Sequence, residues 1–344
     1  MNYTEIIRDN CFNHSPVTWW PRYAFHYTDI TNAVSILNTS MLFSRAKAEA
    51  MGVMRNDNAS RQVIDMTKTE AISCVRFYFR PLTPTQYYNE GFKHPQLRYC
   101  DDQNANTPVP IFFLFDLEKL LSKPGVKFSD QRQAGNGSTL KSGADSFATL
   151  NFDNVYSNNL ENIVDTKSFR HAEILHPNSM CIDDCLETIL CRNSIERISL
   201  LNMLKGINSF AFQKYQGIIK VGKRDVFEKN GLFVTDCTYG GNTVGITFSD
   251  PYARKNYTAS MKRKNGVDEL NLITVKLVLD WFNSRNHLYH TELETMIDYE
   301  KTPGLVYRSV PQVQSSKFLR IQLFLEEKLM CFVEYPIADS ELIK

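Results

Sequence analysis

The sequence predicts an α+β protein in two parts, a mixed N-terminal part and a β-rich C-terminal part. In residues 1–205, strand-like runs alternate with segments of helical periodicity. In residues 206–344, many short strand-like runs are separated by Gly, Asn, Asp and Pro. The first pattern is typical of helices packed on a sheet, and the second of an antiparallel β-sandwich. We therefore place a domain boundary near residues 205–217.

Composition restricts the class of protein. The chain has 344 residues, 43% apolar and 22% charged, which is ordinary for a globular protein of two domains. A net charge of +1 means that any nucleic-acid site must be a local patch. No apolar run reaches the ~20 residues needed to cross a bilayer. The eight cysteines include no Cys-x-x-Cys pair. We therefore expect a cytoplasmic protein with reduced thiols, no membrane contact and no metal.

The first strand and helix are predicted from residues 22–41. Residues 22–27 alternate as a short strand, after which Asp29 or Thr31 can cap a helix, because its side-chain oxygen accepts from the exposed first-turn amides. Residues 33–41 give that helix an apolar face, and residues 44–54 predict a second helix.

A second strand begins at residue 74. Apolar and polar residues alternate through residues 74–80, which is the pattern of a half-buried strand. Pro81 and Pro84 then end the strand, because proline removes a backbone donor, and we expect an extended loop through residue 89. Arginines, tyrosines and amides are concentrated here, and loops on a rigid scaffold often carry binding residues.

The remaining elements of the N-terminal part follow from local pattern. The continuous apolar run 108–115 predicts a central strand buried on both faces. Further predictions are a helix over 116–121, strands over 126–130 and 169–175, surface loops over 131–143 and 151–165, and a helix over 185–204.

His26 and Thr28 are the first candidates for a functional role. His26 ends a predicted strand two residues before Thr28, at the mouth of the capped helix. A His-x-Thr pair at that position can present an imidazole and a hydroxyl to a ribose or an amide. The alternative is a structural histidine, which is common for a histidine with no partner motif.

Glu173 is the second candidate. In the predicted strand 169–175 it shares a face with His171 and Leu175, while its immediate neighbours point to the core. A carboxylate in an otherwise apolar strand is costly unless it is paired or used. It can form an ion pair with Arg170 or another arginine, or it can stabilise a developing positive charge and take a proton.

Several other classes of enzyme are not supported. The sequence contains no Gly-x-x-x-x-Gly-Lys-Ser/Thr, Gly-x-Gly-x-x-Gly, Gly-x-Ser-x-Gly or His-Glu-x-x-His motif. Phosphate-binding loops, dinucleotide-binding folds, hydrolase nucleophile elbows and zinc peptidases are therefore unsupported.

Three elements resemble the His–Tyr–Glu arrangement of ADP-ribosyltransferases. In chain order, they are a strand with His26 and Thr28, a strand with a central Tyr78 and a later strand with Glu173. The resemblance narrows to the DarT-type DNA ADP-ribosyltransferases. The similar segments are residues 26–30, 35–37 and 42–45 at the start, 77–84 around Phe-Tyr-Phe, and 170–177 around the family's catalytic glutamate.

This resemblance implies an ADP-ribosyltransferase-like split β-sheet core with helices over residues 1–205. The C-terminal antiparallel β-sandwich-like accessory domain over 206–344, which the strand pattern predicts, goes beyond the compact single-domain members expected of the family. The family's toxins transfer ADP-ribose from NAD to a base in single-stranded DNA, and a macrodomain antitoxin reverses the modification. By the same resemblance, His26 and Thr28 hold the nicotinamide riboside, and Glu173 is the catalytic carboxylate. The family's catalytic arginine matches Arg61 best, with Arg55 as second choice.

Further roles follow from the needs of these substrates. The diphosphate of NAD needs cationic donors, for which Arg45 is a candidate, and Tyr78 can stack on nicotinamide. Single-stranded DNA needs aromatic platforms and cations. The candidates for DNA contact are Arg76, Arg80, Tyr87 and Tyr88. The acceptor base, thymine or guanine, stays open. Two alternatives also remain, namely the same fold acting on RNA or protein, and a non-catalytic nucleic-acid-binding module on a transferase scaffold.

Overall fold

The architecture of the protein is given by a computed structural model. The structure describes residues 1–56, 69–99, 102, 105–132, 139–158, 166–222, 225–284 and 286–337. The described α-helices are α1 (Tyr3–Asn13), α2 (Ile30–Thr39), α3 (Arg45–Ala50), α4 (Thr69–Ile72), α5 (Pro84–Asn89), α6 (Leu117–Leu121), α7 (Ala144–Ala148), α8 (Phe152–Tyr156), α9 (Ser194–Ile207), α10 (Ser209–Tyr215) and α11 (Pro251–Asn265). Among the described residues, no helix combines the length and apolarity that crossing a bilayer requires.

The strands of the described residues form one large sheet and three smaller ones. They are β1 (Tyr23–Asp29), β2 (Met41–Phe43), β3 (Cys74–Tyr78), β4 (Pro110–Asp116), β5 (Lys127–Ser129), β6 (Glu173–Pro177), β7 (Ser179–Cys181), β8 (Leu186–Cys191), β9 (Ile219–Val221), β10 (Val234–Gly240), β11 (Thr243–Phe248), β12 (Ile273–Phe282), β13 (His287–Ile297), β14 (Gly304–Tyr307), β15 (Phe318–Leu325) and β16 (Lys328–Pro336). The mixture of helices and sheets confirms the predicted α+β class.

The large sheet has seven strands in the order β5-β6-β3-β1-β4-β8-β9. Neighbouring strands in this sheet pair antiparallel, except that β8 and β9 are parallel. β4 lies inside the sheet, and its residues 110–115 are all buried. The continuous apolar run therefore forms the predicted central strand, because a strand covered on both faces needs apolar side chains in every position.

The ends of two helices near β1 are capped as their sequences indicate. Asp29 at the end of β1 accepts a hydrogen bond from the Thr31 amide at 3.0 Å, which begins α2. Ser44 accepts from the Lys47 amide at 3.3 Å, which begins α3. Such caps satisfy amide groups that have no partner within the helix. They fix the directions in which α2 and α3 leave the sheet.

The C-terminal part is antiparallel, as predicted. One sheet has the order β10-β11-β14 and the other β13-β12-β15-β16. A second group of buried side chains fills this part, among them Trp281 and Tyr299. Helix α11 contributes Arg254 and Tyr257 to the same interior, and the Arg254 guanidinium donates to the Tyr299 carbonyl oxygen at 2.7 and 2.9 Å.

Three predicted elements are wrong. Residues 151–165 are not simply a surface loop, because residues 152–156 form α8, in which Phe152, Val155 and Tyr156 are buried. Residues 185–204 do not form one helix, because residues 186–191 form β8 between β4 and β9, and α9 starts only at Ser194. Residues 81–89 are not an extended loop, because residues 84–89 form α5. Thr83 caps α5 and Pro84 occupies its first turn, where a missing N–H costs nothing.

The two parts share residues at their junction. β9 pairs with β8, so the large sheet extends beyond residue 205. In the other direction, Phe92 packs in the C-terminal interior, and its amide donates to the Leu232 carbonyl oxygen at 2.8 Å. The domain division near residue 205 stays a prediction.

A buried ionic cluster strengthens this junction. Arg192 follows β8, and its Nη2 lies 2.5 Å from Glu90 Oε1, while its Nη1 lies 3.6 Å from Glu196 Oε1. The Glu90 and Glu196 side chains are 0% and 1% exposed. The guanidinium also covers the ring of Phe233, 4.1 Å from its centroid. One arginine therefore holds together the end of α5, the start of α9 and the segment before β10.

Candidate active site

A cavity of about 260 Å³ opens beside the large sheet, where β1 and β3 meet α2 and α3. The sequence-predicted residues among its lining are His26, Thr28, Arg45, Arg76 and Tyr78. Side chains from positions between 26 and 78 of the chain therefore meet at one place. Antiparallel pairing of β1 with β3 brings them together, since Phe25 lies opposite Tyr78.

Glu173 begins β6 and lies directly behind this cavity. The register of β3 and β6 places Glu173 opposite Tyr78 and Leu175 opposite Arg76. In an antiparallel pair, directly opposed residues point to the same face of the sheet. Glu173 therefore shares a face with Tyr78 and Arg76, although its residue is only 1% exposed.

Arg76 holds the Glu173 carboxylate with two hydrogen bonds. Arg76 Nε donates to Oε2 at 2.8 Å, and Nη2 donates to Oε1 at 2.6 Å. Burial by itself lowers the pKa of Arg76, but the charge and hydrogen bond of Glu173, together with Tyr78 and Tyr27, leave that pKa raised. The two parallel hydrogen bonds fix the orientation of the carboxylate.

This pairing bears on two expectations. Glu173 forms an ion pair with an arginine other than Arg170, namely Arg76, which is one of the alternatives that the sequence left open. Arg76 binds the candidate catalytic carboxylate and lines the cavity in front of it, and its contact with DNA stays a prediction. Its side chain is 30% exposed, compared with 2% for that of Glu173. A ligand in the cavity therefore meets the guanidinium before the carboxylate.

His26 is held by the same strand. Its Nδ1 lies 3.0 Å from the carbonyl oxygen of Arg76, which can only accept, so Nδ1 carries the hydrogen and Nε2 is left as an acceptor. Burial lowers the pKa of His26, although the bond to the carbonyl opposes this effect. The imidazole is thus neutral near pH 7 and suited to accept a hydrogen bond from a ribose hydroxyl or an amide.

Asn32 also lines the cavity, and sequence reasoning missed it. Its Nδ2 donates to Thr28 Oγ1 at 3.2 Å and to the Asn56 carbonyl oxygen at 2.7 Å. Its Oδ1 accepts from the amides of Arg55 and Asn56 at 2.8 and 3.1 Å. Asn32 therefore orients Thr28 and fixes residues 55–56 against α2. Its position in the first turn of the helix that follows Thr28 was the available signal.

Tyr78 and Arg45 complete the predicted lining. Burial raises the pKa of Tyr78 to about 12, so its hydroxyl is neutral and can donate. Its ring lies 6.3 Å from that of Tyr27, which stacks on Phe112. Arg45 Nη1 pairs with Glu49 at 3.2 Å, one turn along α3. The cavity thus combines aromatic rings on one side with a cation on the other.

Arg80 does not reach this surface. It is 1% exposed, and its guanidinium donates to the carbonyl oxygens of Val155 and Ser157 at 3.0 and 2.6 Å. It also covers the ring of Trp20, and burial lowers its pKa to about 9. The predicted DNA contact of Arg80 is therefore wrong. β3 ends at Tyr78, so the alternation that would have exposed Arg80 stops before it.

Tyr87 and Tyr88 lie on α5, away from the cavity lining. Tyr87 is 38% exposed, and its ring contacts those of Tyr88 and Tyr257 at 5.2 and 5.5 Å. Lys264 at the end of α11 lies 5.5 Å from the ring centroid of Tyr88. Their contact with DNA stays a prediction. Arg61 lies outside the described residues, whereas the second choice, Arg55, is exposed beside Asn32.

Three comparisons place these features in context. Residues 25–214 match the family model of the ssDNA thymidine ADP-ribosyltransferase DarT. The comparison with curated proteins gives no match.

Solved structures with partial similarity include two of Thermus sp. 2.9 DarT. The complex with carba-NAD+ is 15% identical, with a TM-score of 0.46, over 60% of this chain and 98% of that one. The complex with ADP-ribosylated ssDNA is 14% identical, with a TM-score of 0.49, over 60% and 96%. Thermosipho africanus DarTG in complex with ADP-ribose is 14% identical, with a TM-score of 0.43, over 60% and 51%.

With TM-scores below 0.5, the assignment depends on the family model. That model spans residues 25 to 214, which is 190 of the 344 residues and more than half of the chain. The matched region contains every cavity residue described above together with Glu173. The chain belongs to the DarT family of ssDNA thymidine ADP-ribosyltransferases, as the resemblance of its motifs indicated.

Proposed function

We propose that this protein is a mono-ADP-ribosyltransferase that transfers ADP-ribose from NAD to thymidine in single-stranded DNA. The observation that carries this proposal is the buried Glu173 carboxylate, held by two hydrogen bonds from Arg76, which itself lines the cavity. Family membership supplies the reaction class and the thymidine acceptor.

The reaction breaks the bond between the nicotinamide nitrogen and the ribose C1′, and nicotinamide leaves with the electron pair. A ring nitrogen of the base then bonds to C1′ and loses its proton. Positive charge develops on the ribose between these events. A fixed carboxylate stabilises that charge without reorganising, which is the role we assign to Glu173. The same carboxylate can take the proton from the base.

The other residues of the cavity fit the nicotinamide riboside end of NAD. The neutral His26 offers an acceptor, Thr28 a hydroxyl, and Tyr78 an aromatic face. Asn32 keeps Thr28 oriented through the 3.2 Å hydrogen bond. Arg45, at the α3 side of the cavity, is the residue that we assign to the diphosphate.

Arg76 has to change its contacts as NAD binds. Both oxygens of Glu173 are occupied by its guanidinium, which also stands nearer to the cavity. The diphosphate of NAD offers a guanidinium a replacement partner, because it matches the donor geometry as well as a carboxylate does. We propose that Arg76 orients Glu173 in the free protein and releases one carboxylate oxygen to the ribose when NAD is bound.

We further propose the biological setting typical of the family. The protein acts in the cytoplasm as the toxin of a toxin–antitoxin or phage-defence pair, with a macrodomain antitoxin that removes the modification. The N-terminal part, as far as residue 205, carries catalysis. The β-rich part over 206–344 is an accessory domain that contacts DNA or the partner.

The test measures transfer to defined oligonucleotides. The protein is incubated with NAD and a thymidine-containing single strand, or a matched strand in which each thymidine is replaced by cytidine. Nucleosides from the digested products are analysed by mass spectrometry. We expect ADP-ribosyl-thymidine from the first strand alone, and a rate at least ~10²-fold lower for Glu173→Gln.

Glu187→Gln is the matched control, because Glu187 is a carboxylate on β8 with a side chain 44% exposed. It should react as the wild type does. Absence of any nucleoside adduct, together with nicotinamide release no faster than in Glu173→Gln, would show that the protein is not an ADP-ribosyltransferase. Nicotinamide release with label in RNA or protein instead would reject DNA as the acceptor.

A further inference from the structure

A cluster of metal-ligating side chains lies in the C-terminal part, on the hairpin formed by β12 and β13. Its members are Asp280, His287 and His290, and their candidate ligand atoms all lie within 4.8 Å of one another. None of them lines the cavity beside Glu173. This cluster is independent of the proposed transferase site.

The register of the hairpin brings the three side chains to one face. Asp280 lies directly opposite His290, and Phe282 lies opposite His287. The pairing shifts by one residue between Trp281 and Phe282, which is a β-bulge. Without the bulge, two histidines three residues apart would point to opposite faces of a strand, because side chains alternate. The bulge therefore makes the three-residue cluster possible.

This face is the outer one of the sheet. Side chains of alternate β12 residues, such as Trp281, are buried in the C-terminal interior, whereas Asp280 and Phe282 are partly exposed on the opposite side. The side chains of Asp280, His287 and His290 are 14%, 46% and 47% exposed. An ion can therefore reach the cluster from solvent, and both imidazoles can adjust.

The distances fit coordination after a small rearrangement. Asp280 Oδ1 lies 2.9 Å from His287 Nε2 and 2.8 Å from His290 Nδ1. Ligands bound to Zn²⁺ at ~2.0–2.1 Å in a tetrahedron lie about 3.3 Å apart. Opening each contact by about 0.5 Å therefore makes room for the ion, with water as the fourth ligand.

Glu292 supports one of the histidines from outside. Its Oε1 lies 3.5 Å from His290 Nε2, the nitrogen that does not face Asp280. Histidines that bind a metal usually donate their other ring N–H to a carboxylate or carbonyl, which fixes the ring. Across the sheet, Arg320 lies opposite Asp280 on β15, and its guanidinium is bound by Glu334 at 2.8 and 3.0 Å.

We propose that Asp280, His287 and His290 bind a divalent transition-metal ion, with Zn²⁺ as the probe. Two imidazoles and one carboxylate suit such ions. The bound ion cross-links β12 to β13 next to the hairpin turn. This inference departs from the expectation of a metal-free chain, which depended on searching for cysteine pairs and for histidines spaced along a helix.

The experiment measures Zn²⁺ binding by isothermal titration calorimetry to the full-length, tag-free, chelator-treated protein. We expect the wild type to bind one equivalent of Zn²⁺. His287→Asn and His290→Asn should each weaken Zn²⁺ binding at least about tenfold, and Glu292→Gln should weaken it ~10-fold or more. Glu294→Gln is the matched control, because Glu294 lies two residues further along the same face of β13, opposite Lys276. It should bind as the wild type does.

Two further readouts keep the result interpretable. Circular dichroism establishes that each variant is folded, and Zn²⁺ should raise the melting temperature of the wild type but not that of His287→Asn/His290→Asn. An equal affinity and stoichiometry in the wild type and this folded double variant would overturn the proposal, because any Zn²⁺ bound would then lie at other residues. The proposal would also be overturned if the wild type bound Zn²⁺ no more tightly than this double variant does.

Discussion

Arg76→Met tests the central pair of the candidate site through protein stability. Methionine keeps an unbranched side chain but removes both donors that now bind the Glu173 carboxylate at 2.6 and 2.8 Å. The carboxylate, with a side chain 2% exposed, then loses its cation. Breaking a buried pair costs ~3–5 kcal/mol. Because 30% of the Arg76 side chain is exposed and water can partly replace it, we expect a loss of about 2–3 kcal/mol.

The double variant separates this pair from other effects of the substitutions. Glu173→Gln removes the charge and keeps the shape of the side chain. In Arg76→Met/Glu173→Gln no carboxylate is left without its cation, so its loss of stability should be smaller than the sum of the single losses by about 2 kcal/mol. Equilibrium urea denaturation followed by tryptophan fluorescence measures all four proteins. Losses that add to within ~0.5 kcal/mol would refute the reasoning.

Substitutions of Arg76 also test its role in activity. Arg76→Lys keeps the charge but has no bidentate geometry, so it should retain more of the stability than Arg76→Met and still transfer ADP-ribose more slowly than the wild type. Nicotinamide release under saturating NAD measures this rate. A rate for Arg76→Met equal to that of the wild type would show that Arg76 does not position Glu173.

Three further predictions concern the rest of the fold, and urea denaturation measures each. Arg192→Met leaves two buried carboxylates without a cation and should cost ~3–5 kcal/mol, whereas Lys119→Met, at an exposed ion pair, should be near neutral. Gly231→Ala places a Cβ 2.7 Å from a backbone oxygen and should cost ~1–3 kcal/mol, whereas Gly217→Ala has nothing within 4 Å and should be near neutral. Burial lowers the pKa of His171 from 6.5 to about 4. Between these pH values the His171 imidazole is therefore protonated in the unfolded chain but not in the folded protein. The free energy of unfolding should fall as pH falls through this window, and it should fall less steeply in His171→Asn. Equal pH slopes in the two proteins would contradict this prediction.

Local pattern was sufficient for several elements of the site. The uninterrupted apolar run of β4 indicated a strand covered on both faces, and the cap at Asp29 indicated where α2 begins. His26 and Thr28 share a face of β1 because side chains in a strand alternate, and both line the cavity. These properties depend on neighbours within a few residues, so the sequence alone determined them.

The partners of the charged residues depended on the tertiary structure. Arg76 meets Glu173 because β3 pairs with β6, and 97 residues separate the two along the chain. Arg80 is buried because its strand ends two residues earlier and carbonyl oxygens near α8 converge on its guanidinium. The alternation of side chains through residues 74–80 of the sequence does not distinguish these two arginines.

The same limit explains the helix predicted over 185–204. Residues 186–191 carry both apolar and polar side chains, a composition that suits either conformation, and pairing with β4 and β9 makes them a strand. Register likewise decided that Asp280, His287 and His290 share a face, because a one-residue bulge reverses the orientation of the positions beyond it. The sequence by itself determined the order of the motifs and the reaction class that they indicate. The tertiary structure decided which charges meet, because ion pairs between distant strands depend on sheet register, and local pattern does not encode register.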